Sequence, residues 1–416
     1  MKKLQLLNSD YLSIGVFIFF FMGLSCAVPL ALLGSTFVTM ATDAQIDLQS
    51  IGAFSLMMTP YTLKFLWAPF IERFNCPILK HIGRKKGWGL LAQIGLFCAI
   101  IAMSFIDIKN QTMLLCYAGL AVAFFGATQD IVVDSLRIDT LNGNALKQGS
   151  AIYQFGARIG LFIAGPVLIV MSKHYAWQIC YQVGATLILL GIIGLIFIKE
   201  QPSETNTNTD YHTFIINPFK DFISQHGHWL ALLVFIILYK ICNTVLARMA
   251  YPLYYATGFD KTQVALISGT IGPFITMFGV FLGGLLMVKT TYYRLMMGLG
   301  FTEILTSVAF AALALFGYNV PLFAAVIVFD NIVGGMGSAV FVAFLSSLCS
   351  KEYSASQYAL LTSFMAISSY VISASSGYLA AFFGWPFFCL LTGVLMIPSL
   401  ILLKWIGKHD TKDIIC

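Results

Sequence analysis

Apolar runs of about 20 residues or more recur along the whole chain with almost no charge inside them, the length at which a helix crosses a hydrocarbon layer. Only 10% of the 416 residues are charged and 59% are hydrophobic, whereas a soluble domain carries roughly 25% charged residues. So few charges do not cover a water-facing surface. Lipid must solvate much of the chain, and in lipid every backbone polar group needs an internal partner, which makes the spans helical. Twelve are placed, at about 11–39, 50–71, 87–106, 112–136, 149–171, 177–198, 229–257, 263–288, 295–317, 321–348, 355–383 and 386–404. The first is too long for a signal-peptide core, and no small-residue cleavage site follows it, so it reads as an uncleaved span. The expected fold is an all-α membrane protein with twelve transmembrane helices in two six-helix bundles.

One polar segment interrupts the series. Residues 199–228 contain QPSETNTNTD, too polar to build a core. They are expected to link an N-terminal bundle, 1–198, to a C-terminal bundle, 229–416. Weak internal repeats fit that division. Gln148 and Gln357 open the fifth and eleventh spans, Trp177 and Trp385 the sixth and twelfth, and Ser55/Pro60 match Ser268/Pro273.

The net charge of +6 does not call for nucleic acid, because the basic residues sit in short loops between spans. With the N-terminus in the cytoplasm, 17 Lys and Arg fall on the cytoplasmic side and 3 on the other. The positive-inside rule then places both termini and the linker in the cytoplasm. The nine cysteines are scattered without metal or disulfide spacing. No G-x-S-x-G, H-E-x-x-H or Walker lysine loop is present, and the six histidines lie in loops or tails. An enzyme is not expected, nor a cofactor or metal; transport would draw on a gradient.

Charges inside spans are the most informative residues, since each costs at least about 2.5–3.5 kcal/mol at a helix centre. Asp130 and Asp134, in TQDIVVD, are four apart and share a helix face. Two carboxylates so close disfavour double ionisation, the property a proton-carrying site needs. Arg158 is a candidate to neutralise one of them; alternatively Asp134 pairs with Arg137 or Arg73 as a gate. Lys64, between Pro60 and Pro69, either faces a cavity or snorkels to the interface. Lys240 and Arg248, eight apart in the seventh span, bind an anionic group or pair with Glu303 or Asp330. Glu303, placed early in its span, reads as a structural pairing; Asp330 is a cavity candidate. Gln129, Gln154 and Asn243 bind substrate or glue helices. Tyr61, Tyr153, Tyr239 and Tyr370 are candidates to line a cavity.

The loop after the second span, PFIER followed by GRKK, resembles the loop between spans two and three of the major facilitator superfamily, with Glu72 where Asp is usual. That resemblance marks Glu72, Arg73 and Arg84 as a conformational gate, which Arg137 joins if Asp134 pairs with it. Several segments resemble the AmpG family of muropeptide permeases within that superfamily. They are GLSCAVPLALLGST (23–36), PYTLKFLWAP (60–69), GRKKGW (83–88), FFGATQDIVVD (124–134), GMGSAVFVAFL (335–345), SQYALL (356–361) and SGY (376–378). The resemblance implies proton-driven import of N-acetylglucosamine–anhydro-N-acetylmuramic acid, with or without a peptide stem, from periplasm to cytoplasm of a bacterium for peptidoglycan recycling. It implies proton coupling at Asp130 and Asp134. Lys64 and Arg158 also fall in segments that resemble the family, whereas Asn243 and Arg248 match no family pattern; with Gln129, Lys240 and Asp330 they are the candidates for a substrate path. The partners would be a small glycopeptide, protons and membrane lipid, with the chain acting as a monomer. A carrier of another anionic metabolite, such as acetyl-CoA or a nucleotide sugar, and a membrane receptor or enzyme without transport, are the alternatives.

Overall fold

A computed structural model describes residues 14–46, 54–79, 81–198, 200, 211–367 and 376–409. The chain forms two compact units. The first holds Met1–Phe219 and Cys349–Leu360, the second Lys220–Leu348 and Leu361–Cys416.

The first unit contains α1 (Val16–Asp43), the short α2 (Thr59–Leu63) and α3 (Ala68–Arg73), α4 (Arg84–Ser104), α5 (Thr112–Thr140), α6 (Gly143–Met171) and α7 (Trp177–Phe197). A further helix, α8 (Tyr211–Gln225), lies where the polar linker was expected, and the boundary between units falls inside it. The QPSETNTNTD stretch itself lies outside the described residues. The second unit contains α9 (Trp229–Ala256), α10 (Thr262–Lys289), α11 (Tyr292–Phe316) and α12 (Val320–Ser347), then α14 (Ser376–Phe383) and α15 (Trp385–His409). Between them α13 (Ser354–Ile367) starts in the first unit and ends in the second.

Among the described residues, ten helices are long and apolar enough to cross a membrane. Two expected spans are not among the ten, each for a definable reason. The eleventh is seen only as α13 and α14, because residues 368–375 lie outside the described residues. The second is broken. It runs as a 3₁₀ turn (Ser55–Met58), α2, a second 3₁₀ turn (Lys64–Leu66) and α3. Pro60 and Pro69 explain the breaks: each lacks an N–H and crowds the carbonyl four residues back. The position matching Pro60 in the expected repeat, Pro273, likewise adjoins irregular backbone, a π segment at Ala265–Ile271 inside α10. α1 and α6 carry similar π segments at Leu32–Thr36 and Ile163–Val167.

Small residues set the closest helix contacts, as expected where lipid removes the hydrophobic drive for helices to associate. α1 lies against α6 so tightly that a Cβ on Gly23 would overlap the Tyr153 carbonyl, and one on Gly156 or Gly160 the carbonyls of Phe20 or Leu24. In the second unit Gly279 and Gly335 bring α10 and α12 equally close. Apolar cores fill the rest: Val28, Leu32, Leu96, Val122 and Ile188 in the first unit, and Val245, Leu253, Phe310 and Phe323 in the second.

Candidate functional site

The break in the second span positions the first charged pair. Lys64 opens the 3₁₀ turn between α2 and α3 and is buried. Its Nζ lies 3.7 Å from Oδ2 of Asp130 on α5. The other oxygen, Oδ1, has no hydrogen-bond partner. Lys64 therefore does not reach for an interface; it faces inward and is balanced by a carboxylate from another helix. Trp67, three residues on, donates from Nε1 to Thr128 Oγ1 at 3.1 Å and holds the broken segment against α5.

One helical turn along α5, Asp134 is committed elsewhere. Its Oδ1 lies 2.9 Å from Nη2 of Arg137, three residues on in the same helix. Arg137 is fully buried, with its guanidinium 4.5 Å from the ring centre of Tyr153 and 5.4 Å from that of Tyr358. Of the two expectations for Asp134, the geometry has the pairing with Arg137. Arg158 on α6 neutralises neither Asp130 nor Asp134: it forms no ion pair with a described carboxylate, and its Nε lacks a hydrogen-bond partner. Gln129 is fully buried and ties α5 to α1, donating to Ser25 Oγ at 2.8 Å and toward Cys26 Sγ at 3.4 Å. Its contacts are those of helix glue. Tyr61, Tyr153 and Tyr239 are buried; Tyr370 lies outside the described residues.

A second cluster in the first unit gathers at the ends of α3, α4, α5 and α13. Glu72, buried on α3, accepts from the backbone N–H groups of Ala355 (2.9 Å) and Ser356 (3.1 Å) and from the Ser356 hydroxyl. A carboxylate there meets the unpaired amides and positive dipole end of α13. Lys85 Nζ lies 3.8 Å from Glu72 and donates to Asp139 Oδ2 at 2.6 Å and Ser354 Oγ at 2.9 Å. Ser354 in turn donates to the other oxygen of Asp139 at 2.6 Å. Glu200 caps α4, accepting from the N–H groups of Lys85 (2.9 Å) and Lys86 (3.1 Å), while Lys86 Nζ donates to the Ile196 and Ile198 carbonyls at the end of α7.

Of the expected gate residues, Glu72 is central to this cluster, and Arg137 sits beside it through Tyr358. Arg84 and Arg73 are half-buried, and the Nε of Arg84 has no hydrogen-bond partner. Lys85, Asp139 and Glu200 were not singled out from sequence. Lys85 stands in the same GRKK run as Arg84, and only the direction of its side chain separates the two.

The second unit holds its own polar centre. Glu303 lies near the midpoint of α11, not near its end as the span assignment implied, and it makes no ion pair with a described base. Asn243 Nδ2 of α9 approaches its Oε1 at 3.4 Å. Lys240 places Nζ 4.8 Å from the centre of the Phe341 ring. Arg248 is exposed. Asp330 is half-buried on α12, with no ion pair to a described base, and its neighbour Asn331 accepts from Thr276 at 2.6 Å.

Helical packing of this kind is shared with known transporters. The proton:xylose symporter XylE superposes with a TM-score of 0.67 at 12% identity, covering 95% of both chains. The fucose:proton symporter FucP of E. coli superposes with a TM-score of 0.68 at 13% identity, covering 95% of this chain and 99% of that one. Residues 13–311 match the sequence model of the Major Facilitator Superfamily. The fold and the match define a multi-pass membrane transporter of that class, not an enzyme. The anhydromuropeptide permease of Escherichia coli K12 is 32% identical over 384 residues, 92% of this chain and 77% of that protein. The Rickettsia felis protein labelled AmpG 4 is 30% identical over 403 residues, 94% of this chain and 96% of that one. The chain belongs to the AmpG family of the major facilitator superfamily.

Proposed function

We propose that this protein is a proton-driven importer of anhydromuropeptides, carrying N-acetylglucosamine–anhydro-N-acetylmuramic acid, with or without a peptide stem, from periplasm to cytoplasm across a bacterial inner membrane for peptidoglycan recycling. Both termini and the linker are cytoplasmic, as the 17-to-3 bias of basic residues supports. The substrate class rests on kinship with the E. coli anhydromuropeptide permease, whose match spans 92% of this chain.

The observation that carries the proton coupling is the buried Lys64–Asp130 pair at a broken helix. A buried ion pair opens at low cost only if each charge finds a new partner, because an orphaned charge in low dielectric is expensive. A proton delivered to the free Oδ1 of Asp130 neutralises the carboxyl and releases the Lys64 ammonium. That ammonium is then free to meet the carboxylate of the muramic acid lactyl group or peptide stem. Loss of substrate and proton restores the pair. Lys64 thus binds substrate only while Asp130 is protonated, which couples the two. Asp134, held by Arg137, keeps that arginine neutralised and belongs with the gate formed by Glu72, Lys85, Asp139 and the start of α13.

Uptake of labelled anhydro-disaccharide into proteoliposomes tests this. Accumulation should rise with an inward proton gradient and collapse with an uncoupler. Uptake indifferent to the uncoupler removes the proton. Absence of uptake, or displacement by acetyl-CoA or a nucleotide sugar and not by anhydromuropeptides, removes the substrate.

A further inference from the structure

Glu303 is the feature of the second unit that the reading above leaves unused. It is 8% exposed, halfway along a 25-residue apolar helix. The groups facing it are Tyr239, Lys240, Cys242 and Asn243 from α9 and Asp330 from α12. None of these forms an ion pair with it, and its one hydrogen bond, from Asn243, is long at 3.4 Å. Beside Asp330, α12 presents two glycines to the same place: a Cβ on Gly337 would lie 3.9 Å from Glu303 Oε1, and one on Gly334 would lie 3.8 Å from Asn243 Nδ2. The site therefore has room beside the carboxyl and one neutral amide to orient it.

A carboxylate so placed, with no ion-pair partner in contact, would be costly in hydrocarbon. A carboxylic acid would not be. We propose that Glu303 is a second proton-binding site of this transporter, oriented by Asn243, which releases its proton to water during each cycle and takes one up again. On release the O–H bond breaks, the electron pair stays on the carboxylate, and Lys240, a cation that faces it, balances the charge that remains. The binding of the proton stands on geometry alone; its part in transport rests on the proton-coupled reading above.

Two measurements separate these parts. Infrared difference spectra of the protein in liposomes, recorded without substrate as pH is changed, should show a protonated-carboxyl band. That band should be lost in Glu303→Gln, kept in Asp130→Asn and Asp330→Asn, and restored with a shift in Glu303→Asp. A spectrum unchanged in Glu303→Gln overturns the site, whether or not the protein carries muropeptides. In transport, an imposed difference of about one pH unit supports about tenfold accumulation for each coupled proton. Glutamine keeps the Asn243 contact and leaves no orphaned partner, so Glu303→Gln should still exchange internal for external substrate while its accumulation falls about tenfold. Accumulation equal to wild type overturns the role in coupling. Lack of any uptake by the wild type instead overturns the parent reading and leaves the infrared result to stand alone.

Discussion

Asp130 and Asp134 share a helix face and differ only in what meets them. Asp134 lies 2.9 Å from an arginine in its own helix, whereas Asp130 faces a lysine from another helix at 3.7 Å; one oxygen of each carboxylate has no hydrogen-bond partner. The looser pair is the one a proton can open. Asp130→Asn mimics the protonated state permanently. The variant should insert and fold, exchange substrate, and lose uphill uptake, because Lys64 has no carboxylate to return to; wild-type accumulation would refute proton carriage by this residue. Stability supplies an independent check. Removing one partner of a buried pair costs about 3–5 kcal/mol, while removing both is close to neutral. Thermal unfolding in detergent should therefore show Asp130→Asn below wild type and Lys64→Gln with Asp130→Asn largely restored. At this scale the sequence displays the spacing of the two aspartates, but not their partners. Arg137 lies within three residues and was one of two readable options. Arg158 was the expected partner of one aspartate and Lys64 was read as facing a cavity or an interface; the break in the second span carries Lys64 to Asp130 instead.

At the scale of elements, apolar length locates a span but is blind to its continuity. The second span reads as one run, yet Pro60 and Pro69 divide it, and that division carries Lys64. The linker holds more structure than its polarity announces, since α8 forms in its second half. Glycines matter where helices touch backbone to backbone. Gly156→Val should force α1 from α6 and lower the yield of monodisperse protein on size-exclusion chromatography, while Gly298→Ala, with open space around it, should not. The cap on α13 gives a second test. With Glu72→Ala the amides of Ala355 and Ser356 lose their acceptor, so their hydrogen exchange should quicken while amides in the middle of α5 stay protected. Unchanged exchange at those two positions would remove Glu72 from the gate.

For the whole molecule, composition alone was enough to assign a membrane class, since 10% charged residues leave no soluble alternative. The family was legible because whole segments, not single residues, resemble it, and the 92% coverage of the E. coli permease match bears that out. The members of the polar centre around Glu303 were legible one by one, but not their arrangement. A lone acid in an apolar run reads as a residue awaiting an ion-pair partner, and nothing in the run tells that an amide, Asn243, meets it instead.

The central claim is that a gradient of protons, acting through Asp130, pays for movement of an anhydromuropeptide. It is tested most directly in proteoliposomes holding the purified protein, with labelled anhydro-disaccharide outside and an inward proton gradient imposed. The account predicts accumulation above the external concentration in wild type, abolished by uncoupler and by Asp130→Asn. Equal accumulation with and without the gradient would contradict it.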